Sequence, residues 1–192
     1  QRVERGLSCG ASGEALGELL YLRAEAHRWR ADNTAAAEAV ALALAVLPPG
    51  SPRWCAAATA GFSVYAALQA LDRLEELLVR VKSTPARPEA AAEWIRMLAK
   101  GAIELYLLGR YDQGDTLVGE ADRELSSGPI DDPSVSARVH EAMAFREGAR
   151  AEQGRALALL ELAAAAYEHA GDLRNVAMSR SNLGYTYSQL GD

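Results

Sequence analysis

Apolar positions along the chain recur at three- and four-residue intervals, in runs long enough for several helical turns and separated by short polar, glycine or proline stretches. These intervals predict a first pair of helices over about 13–30 and 33–47, closed by Pro48-Pro49-Gly50, because the residue before a proline is pushed out of the helical region. A second pair starts after Ser51-Pro52, with the proline suited to a first helical turn, reaches Leu71 and continues from Asp72 to Lys82. Residues 83–88, rich in proline, read as a linker. A third pair covers about 89–108 and 111–125 and ends at the breaker Ser126-Ser127-Gly128-Pro129. A fourth, capped by Asp131-Asp132-Pro133, covers about 134–153 and 155–170, and a single helix follows over 173–190. Residues 1–12 read as a linker or part of a preceding helix.

The punctuation between helices is itself periodic. Ala31-Asp32, Leu71-Asp72, Gly109-Arg110, Gly154-Arg155 and Gly191-Asp192 share one local character, and their second residues are 40, 38, 45 and 37 positions apart. A period near 40 with two helices in each unit is the signature of an α-solenoid. Residues 13–192 are therefore expected to form one all-α repeat domain, with units of about 13–50, 51–84, 87–128 and 131–171 and a half unit at 172–192. Small residues at Ala24, Ala36, Ala43, Ala102 and Ala121 would let helices cross closely. Leu20, Val40, Leu98, Leu105 and Val118 would fill the space between turns.

Leu183-Gly184-Tyr185-Thr186-Tyr187 resembles the Leu-Gly-x-x-Tyr core of the tetratricopeptide (TPR) repeat, and Gly191-Asp192 falls where that family turns into its second helix. Ala36, Val40, Ala43 and Pro48 match the spacing of its second half, and Gly109-Arg110-Tyr111-Asp112 looks like its inter-helix turn. The departures are specific. Arg180 and Leu20 stand where the family has a leading tryptophan, and the second and fourth units are degenerate and off-length.

The resemblance implies a right-handed superhelix of about four and a half repeats whose first helices line a concave face. By register with the matched units, the binding stripe would be Glu18, Tyr21, Glu25 and Arg28, then Arg96, Ala99, Ile103 and Tyr106, then Met178, Ser181, Tyr185 and Ser188. Aromatic rings with scattered charges suit a peptide or a helix of another protein. TPR domains that grip chaperone C-termini use Lys, Asn and Arg on this stripe. Here Tyr21 and Glu25 occupy first-repeat positions, and an acid there would repel a carboxylate. Residues 167–174 and 182–185, with Leu47-Pro48-Pro49-Gly50-Ser51-Pro52-Arg53-Trp54, are similar to TPR arrays of large bacterial signalling proteins, namely serine/threonine kinases and STAND-type regulators.

Composition narrows the chemistry. Of the 192 residues, 39 are alanine, which favours helix; 20 basic side chains, of which only Lys82 and Lys100 are lysine, face 26 acidic ones for a formal charge of −6. Without a basic cluster, no phosphate-driven nucleic-acid partner is expected. The longest apolar run, 39–47, is nine residues and too short to span a bilayer, so no membrane partner is expected either. Cys9 and Cys55 form no disulfide framework, and a reducing, cytoplasmic setting is expected.

Gly6-Leu7-Ser8-Cys9-Gly10 matches the nucleophile-elbow pattern of hydrolases, but that chemistry needs a strand before the serine and a helix after it. A linker is the plainer reading. His27, His140 and His169 lack ligand spacing, and the acidic pairs Glu75-Glu76 and Asp131-Asp132 read as a solvated helix face and a helix start. No catalytic residue, metal or cofactor is expected. The expectation is a non-catalytic interaction, scaffolding or sensory segment that binds a protein or peptide. The alternative is an effector-sensing domain of a transcriptional regulator, with a hydrolase a distant third. A final helix without its mate would expose an apolar face and favour self-association.

Overall fold

The computed structural model describes residues 2–128 and 130–190. They form ten α-helices: α1 (Arg2–Ser8), α2 (Gly13–Trp29), α3 (Asn33–Val46), α4 (Pro52–Ala67), α5 (Leu71–Ser83), α6 (Ala91–Leu107), α7 (Tyr111–Ser127), α8 (Pro133–Ala149), α9 (Gln153–His169) and α10 (Leu173–Leu190). A single 3-10 turn, Pro88–Ala90, leads into α6, and no strand occurs among the described residues. The fold is all-α. Part of the segment expected as linker or partial helix is helical, as α1. The turn expected at Gly191-Asp192, and Pro129 of the expected breaker, lie outside the described residues.

Local chemistry accounts for where the helices start. Ser51 accepts a hydrogen bond from the Trp54 amide at 3.3 Å, ahead of Pro52 in the first turn of α4. Asp32 caps α3 through the Ala35 amide at 3.2 Å, Asp132 caps α8 through Ser134 at 2.9 Å, and Asp172 accepts from the Asn175 amide at 3.1 Å as α10 begins.

Five helices end in one and the same turn. In each, a residue of positive φ donates its amide three residues back, and the next residue donates five residues back. At the first of them Ala31 bonds to Arg28 and Asp32 to His27. This is the Schellman arrangement, which satisfies carbonyls the helix leaves open. The left-handed residues are Ala31, Gln69, Gly109, Ala151 and Gly171. Two of these turns lie earlier than the sequence suggests. The α4–α5 turn is centred on Gln69 instead of Leu71-Asp72, and the α8–α9 turn on Ala151 instead of Gly154-Arg155. Glycine is the usual sign of a left-handed residue, and here glutamine and alanine carry it at φ of 52° and 62°. The corrected turns at 31, 69, 109 and 151 are 38, 40 and 42 residues apart.

The chain divides into two compact units, one up to Met97 and one from Leu98, with the division inside α6. In the first unit α1 packs on α2, α2 on α3 and α4, and α4 on α3 and α5. Its core combines small and aromatic side chains. Ala36, Ala39, Ala43, Ala57 and Ala58 are buried, and Trp54 stacks on Trp94 with ring centres 6.5 Å apart and planes at 17°. The Arg80 guanidinium sits 5.7 Å above Trp54 and also donates to the Leu44 carbonyl. In the second unit α8 packs on α7 and α9, and α9 on α10, around Ala137, Ala163, Tyr167 and Val176. The small residues expected at crossings, Ala24, Ala36, Ala43, Ala102 and Ala121, are all buried, as are Leu20, Val40, Leu98, Leu105 and Val118.

Both units carry side-chain ties between helices about one turn-to-turn spacing apart. Glu18 of α2 bonds Arg53 of α4 at 3.2 Å. Arg138 of α8 bonds Asn175 of α10 at 3.1 Å, and Glu141 lies 3.5 Å from the Asn182 amide.

Candidate functional site

The stripe anticipated from the sequence divides between the units. In the first, Glu18 is exposed and paired with Arg53, and Glu25 and Arg28 pair with each other at 3.0 and 3.2 Å. Tyr21 is half-buried, and burial, reinforced by the nearby Glu25, pushes its phenol up from the ordinary range. Arg96 is held by Glu93 at 3.3 Å. A cavity of about 340 Å³ lies beside α2, lined by Glu14 and by two ion pairs, Glu18 with Arg53 and Arg87 with Glu89.

In the second unit Ala99 and Ile103 are buried, while Met178, Ser181 and Ser188 are exposed. Tyr106 and Tyr185 instead line one groove of about 520 Å³, walled by α6 to α10. Two further rings, Tyr111 and Phe145, join them, with Leu107 at the mouth and Ala144, Ala156 and Leu160 in the wall. The polar contributions come from Gln153, Asn182 and Thr186. Among the described lining residues none is charged.

The Tyr106 ring is fixed from two sides. Gly114 of α7 faces it so closely that a β-carbon there would stand 2.9 Å from the ring, so α6 and α7 approach only because residue 114 has no side chain. Its hydroxyl donates to Asp115 Oδ1 at 2.6 Å, and Asp115 Oδ2 accepts from Arg150 at 2.9 Å. Burial, followed by the Asp115 hydrogen bond, pushes the Tyr106 phenol far above its usual range. Burial alone would raise the Asp115 carboxyl, but the Tyr106 hydroxyl and the Arg150 guanidinium outweigh it and hold the acid below its ordinary value. Tyr106 is thus protonated at ordinary pH, with its ring held in place.

Behind the groove, the buried Glu141 accepts from Arg138 and, at 3.3 Å, from the Tyr167 hydroxyl. Arg138 also lies 5.5 Å over the Tyr167 ring. The carboxylate is both paired and hydrogen-bonded, as a buried charge must be, and the cluster locks α8, α9 and α10.

Other sequence motifs stand apart from the groove. Ser8 is the last residue of α1 and donates to the Arg5 carbonyl at 2.9 Å, so the Gly-x-Ser-x-Gly stretch has a helix before it where a nucleophile elbow has a strand. Cys55 is buried, and burial pushes its thiol up to about 12. His27 Nδ1 meets Asp32 Oδ2 at 3.1 Å, and His140 is partly buried, which pulls its imidazole down. Among the described residues no cluster of three or more His, Cys, Asp or Glu side chains could hold a metal ion, and no helix is long and apolar enough to cross a membrane.

Sequence reasoning left Tyr111 and Phe145 out of the stripe. Tyr111 opens a second helix, and the TPR register assigns the stripe to first helices. Phe145 lies on α8, in a stretch where the sequence reading could draw no register.

No protein-family model matches the chain, and no curated protein matches it.

Proposed function

We propose that this chain is a non-catalytic binding segment, a TPR-like α-solenoid of about four and a half repeats, within a larger bacterial signalling protein. It holds a partner protein or peptide in the groove lined by Tyr106 and Tyr185 and passes that state to the rest of its parent, a serine/threonine kinase or STAND-type regulator. One observation carries the reading: two tyrosines from α6 and α10, assigned to one stripe by sequence register, line the same uncharged aromatic groove. Aromatic anchors in a concave site are where binding energy concentrates. The repeating Schellman turns and the ties about one period apart support the solenoid part.

The second reading is an effector-sensing domain, and the groove volume of about 520 Å³ favours it, because small-molecule sites fall in that range.

The test is a pull-down with the parent protein carrying Tyr111→Ala and Tyr185→Ala together, against Leu162→Ala, an exposed position outside the groove lining. Loss of partners with the first and retention with the second is expected. The reverse pattern would overturn the proposal.

A further inference from the structure

Asn175, Ser179, Asn182 and Thr186 follow one another along α10 at four-, three- and four-residue intervals, the spacing of a single helix face. That polar face is turned inward: Ser179 and Thr186 are buried, and Asn175 and Asn182 are half-buried. The large apolar side chains go the other way, with Leu173, Met178 and Tyr185 at 79%, 55% and 68% exposure. Val176, set against Ala137, Ala163 and Tyr167, is the one buried apolar side chain among those described on this helix. By contrast, α8 and α9 bury five each.

A helix seated on such a seam gains little by staying there. The Ser179 hydroxyl is fully buried and has no hydrogen-bond partner among the described residues, so docking costs it the water it would otherwise bind. Thr186 spends its hydroxyl on the Asn182 carbonyl of its own helix, and the Asn175 amide keeps Asp172, at 2.6 Å, whether α10 is docked or not. Arg138 of α8 holds Asn175 at 3.1 Å, and Asn182 reaches Glu141 at 3.5 Å, the outer limit of a hydrogen bond. Toward α9, Arg180 pairs with Glu168 and Tyr187 with Glu161 in exposed positions, where such bonds contribute little.

The surface beneath is complete without α10. Arg138 and Glu141 pair with each other, the Tyr167 hydroxyl donates to Glu141, and the Arg138 guanidinium lies over the Tyr167 ring. Both inner ties of α10 end on this one ion pair, so they are released together, and their loss leaves no buried charge unpaired.

Asn182, Tyr185 and Thr186 are the α10 side of the groove. We propose that α10 is a detachable wall: it leaves α8 and α9 as one unit while they stay folded, and the groove exists only while it is docked. An occupant of the groove then binds the docked state alone. It holds α10 down, and its apparent affinity scales with the docked fraction. Only the groove's walls enter here and not its occupant, so this device and the binding role can fail separately.

Native-state hydrogen exchange of the 192-residue chain, followed residue by residue by NMR across sub-denaturing urea, tests the detachment. Amides 177–188 should share one opening, at least about tenfold more populated than that of amides 157–167 in α9, and it should grow with urea because the whole helix is exposed at once. Ser179→Ala removes the orphan hydroxyl and should slow exchange along all of α10 about tenfold while leaving 157–167 unchanged. Ser181→Ala, exposed on the same helix, brings the same gain in helix propensity and should slow it by about threefold at most. Equal protection in α10 and α9, lost together in urea, would make α10 a fixed part of the core and overturn the proposal. Protection that declines steadily toward residue 188 without urea dependence would be fraying, and would overturn it too. So would Ser179→Ala and Ser181→Ala acting alike.

Discussion

The Tyr106 hydroxyl donates to Asp115 at 2.6 Å across the α6–α7 pair, and the same carboxylate binds Arg150 beyond the end of α8. One acid therefore connects a groove-lining ring to the α8–α9 turn. Tyr106→Phe keeps the ring and removes only the donor. It should lower stability by about 1 kcal/mol, below the usual cost of a lost bond to a charged group, because Asp115 is partly solvated and water replaces the donor. In an Asp115→Asn background the same substitution should cost less. Urea midpoints of the four proteins measure this coupling, and equal costs in the two backgrounds would rule it out.

Ala151 and Gly109 occupy equivalent turns at φ of 62° and 73°. An L side chain strains that conformation, so Ala151→Gly should raise stability by about 1 kcal/mol and Gly109→Ala should lower it by about as much. Space is not the obstacle at 109, where a β-carbon would have nothing within 4 Å. Thermal unfolding of both variants checks the pair of signs.

His140 is partly buried on α8, which lowers its pKa from 6.5 more than the nearby Asp122 raises it. The unfolded chain then binds more protons than the folded one as pH falls below 6.5. The stability this group contributes is complete above 6.5 and is lost as pH descends through the lower folded value. His140→Gln should flatten the fall in stability between about pH 7 and 5. Denaturation midpoints across that window, equal in slope for both proteins, would contradict this.

Trp54 is fully buried, stacked on the Trp94 ring and with the Arg80 guanidinium over its own ring. Trp54→Ala should cost about 3–5 kcal/mol through the cavity it leaves, and Trp54→Phe clearly less. Calorimetry on the two variants orders them.

Much of the fold was legible because helix starts and prolines are written in local chemistry. Ser51-Pro52 and Asp132-Pro133 cap and open α4 and α8 where the sequence places them. The turns at Gln69 and Ala151 were not legible, since nothing in either residue type announces a left-handed backbone. The site was legible to the extent that register could be carried. Tyr106 and Tyr185 fall in stretches where the sequence reading drew a repeat register, whereas Phe145 falls in one where it drew none. Ile103 shows the limit of a stripe drawn from spacing: at 3% exposure its side chain is buried.

Photo-crosslinking from the groove bears on the binding role itself. With p-benzoylphenylalanine at Ala149 of the parent protein in its own cells, irradiation should yield a discrete protein adduct that is absent when the probe stands at Ala165. Equal adducts from both positions, or an adduct from Ala165 alone, would contradict a partner held in the Tyr106–Tyr185 groove.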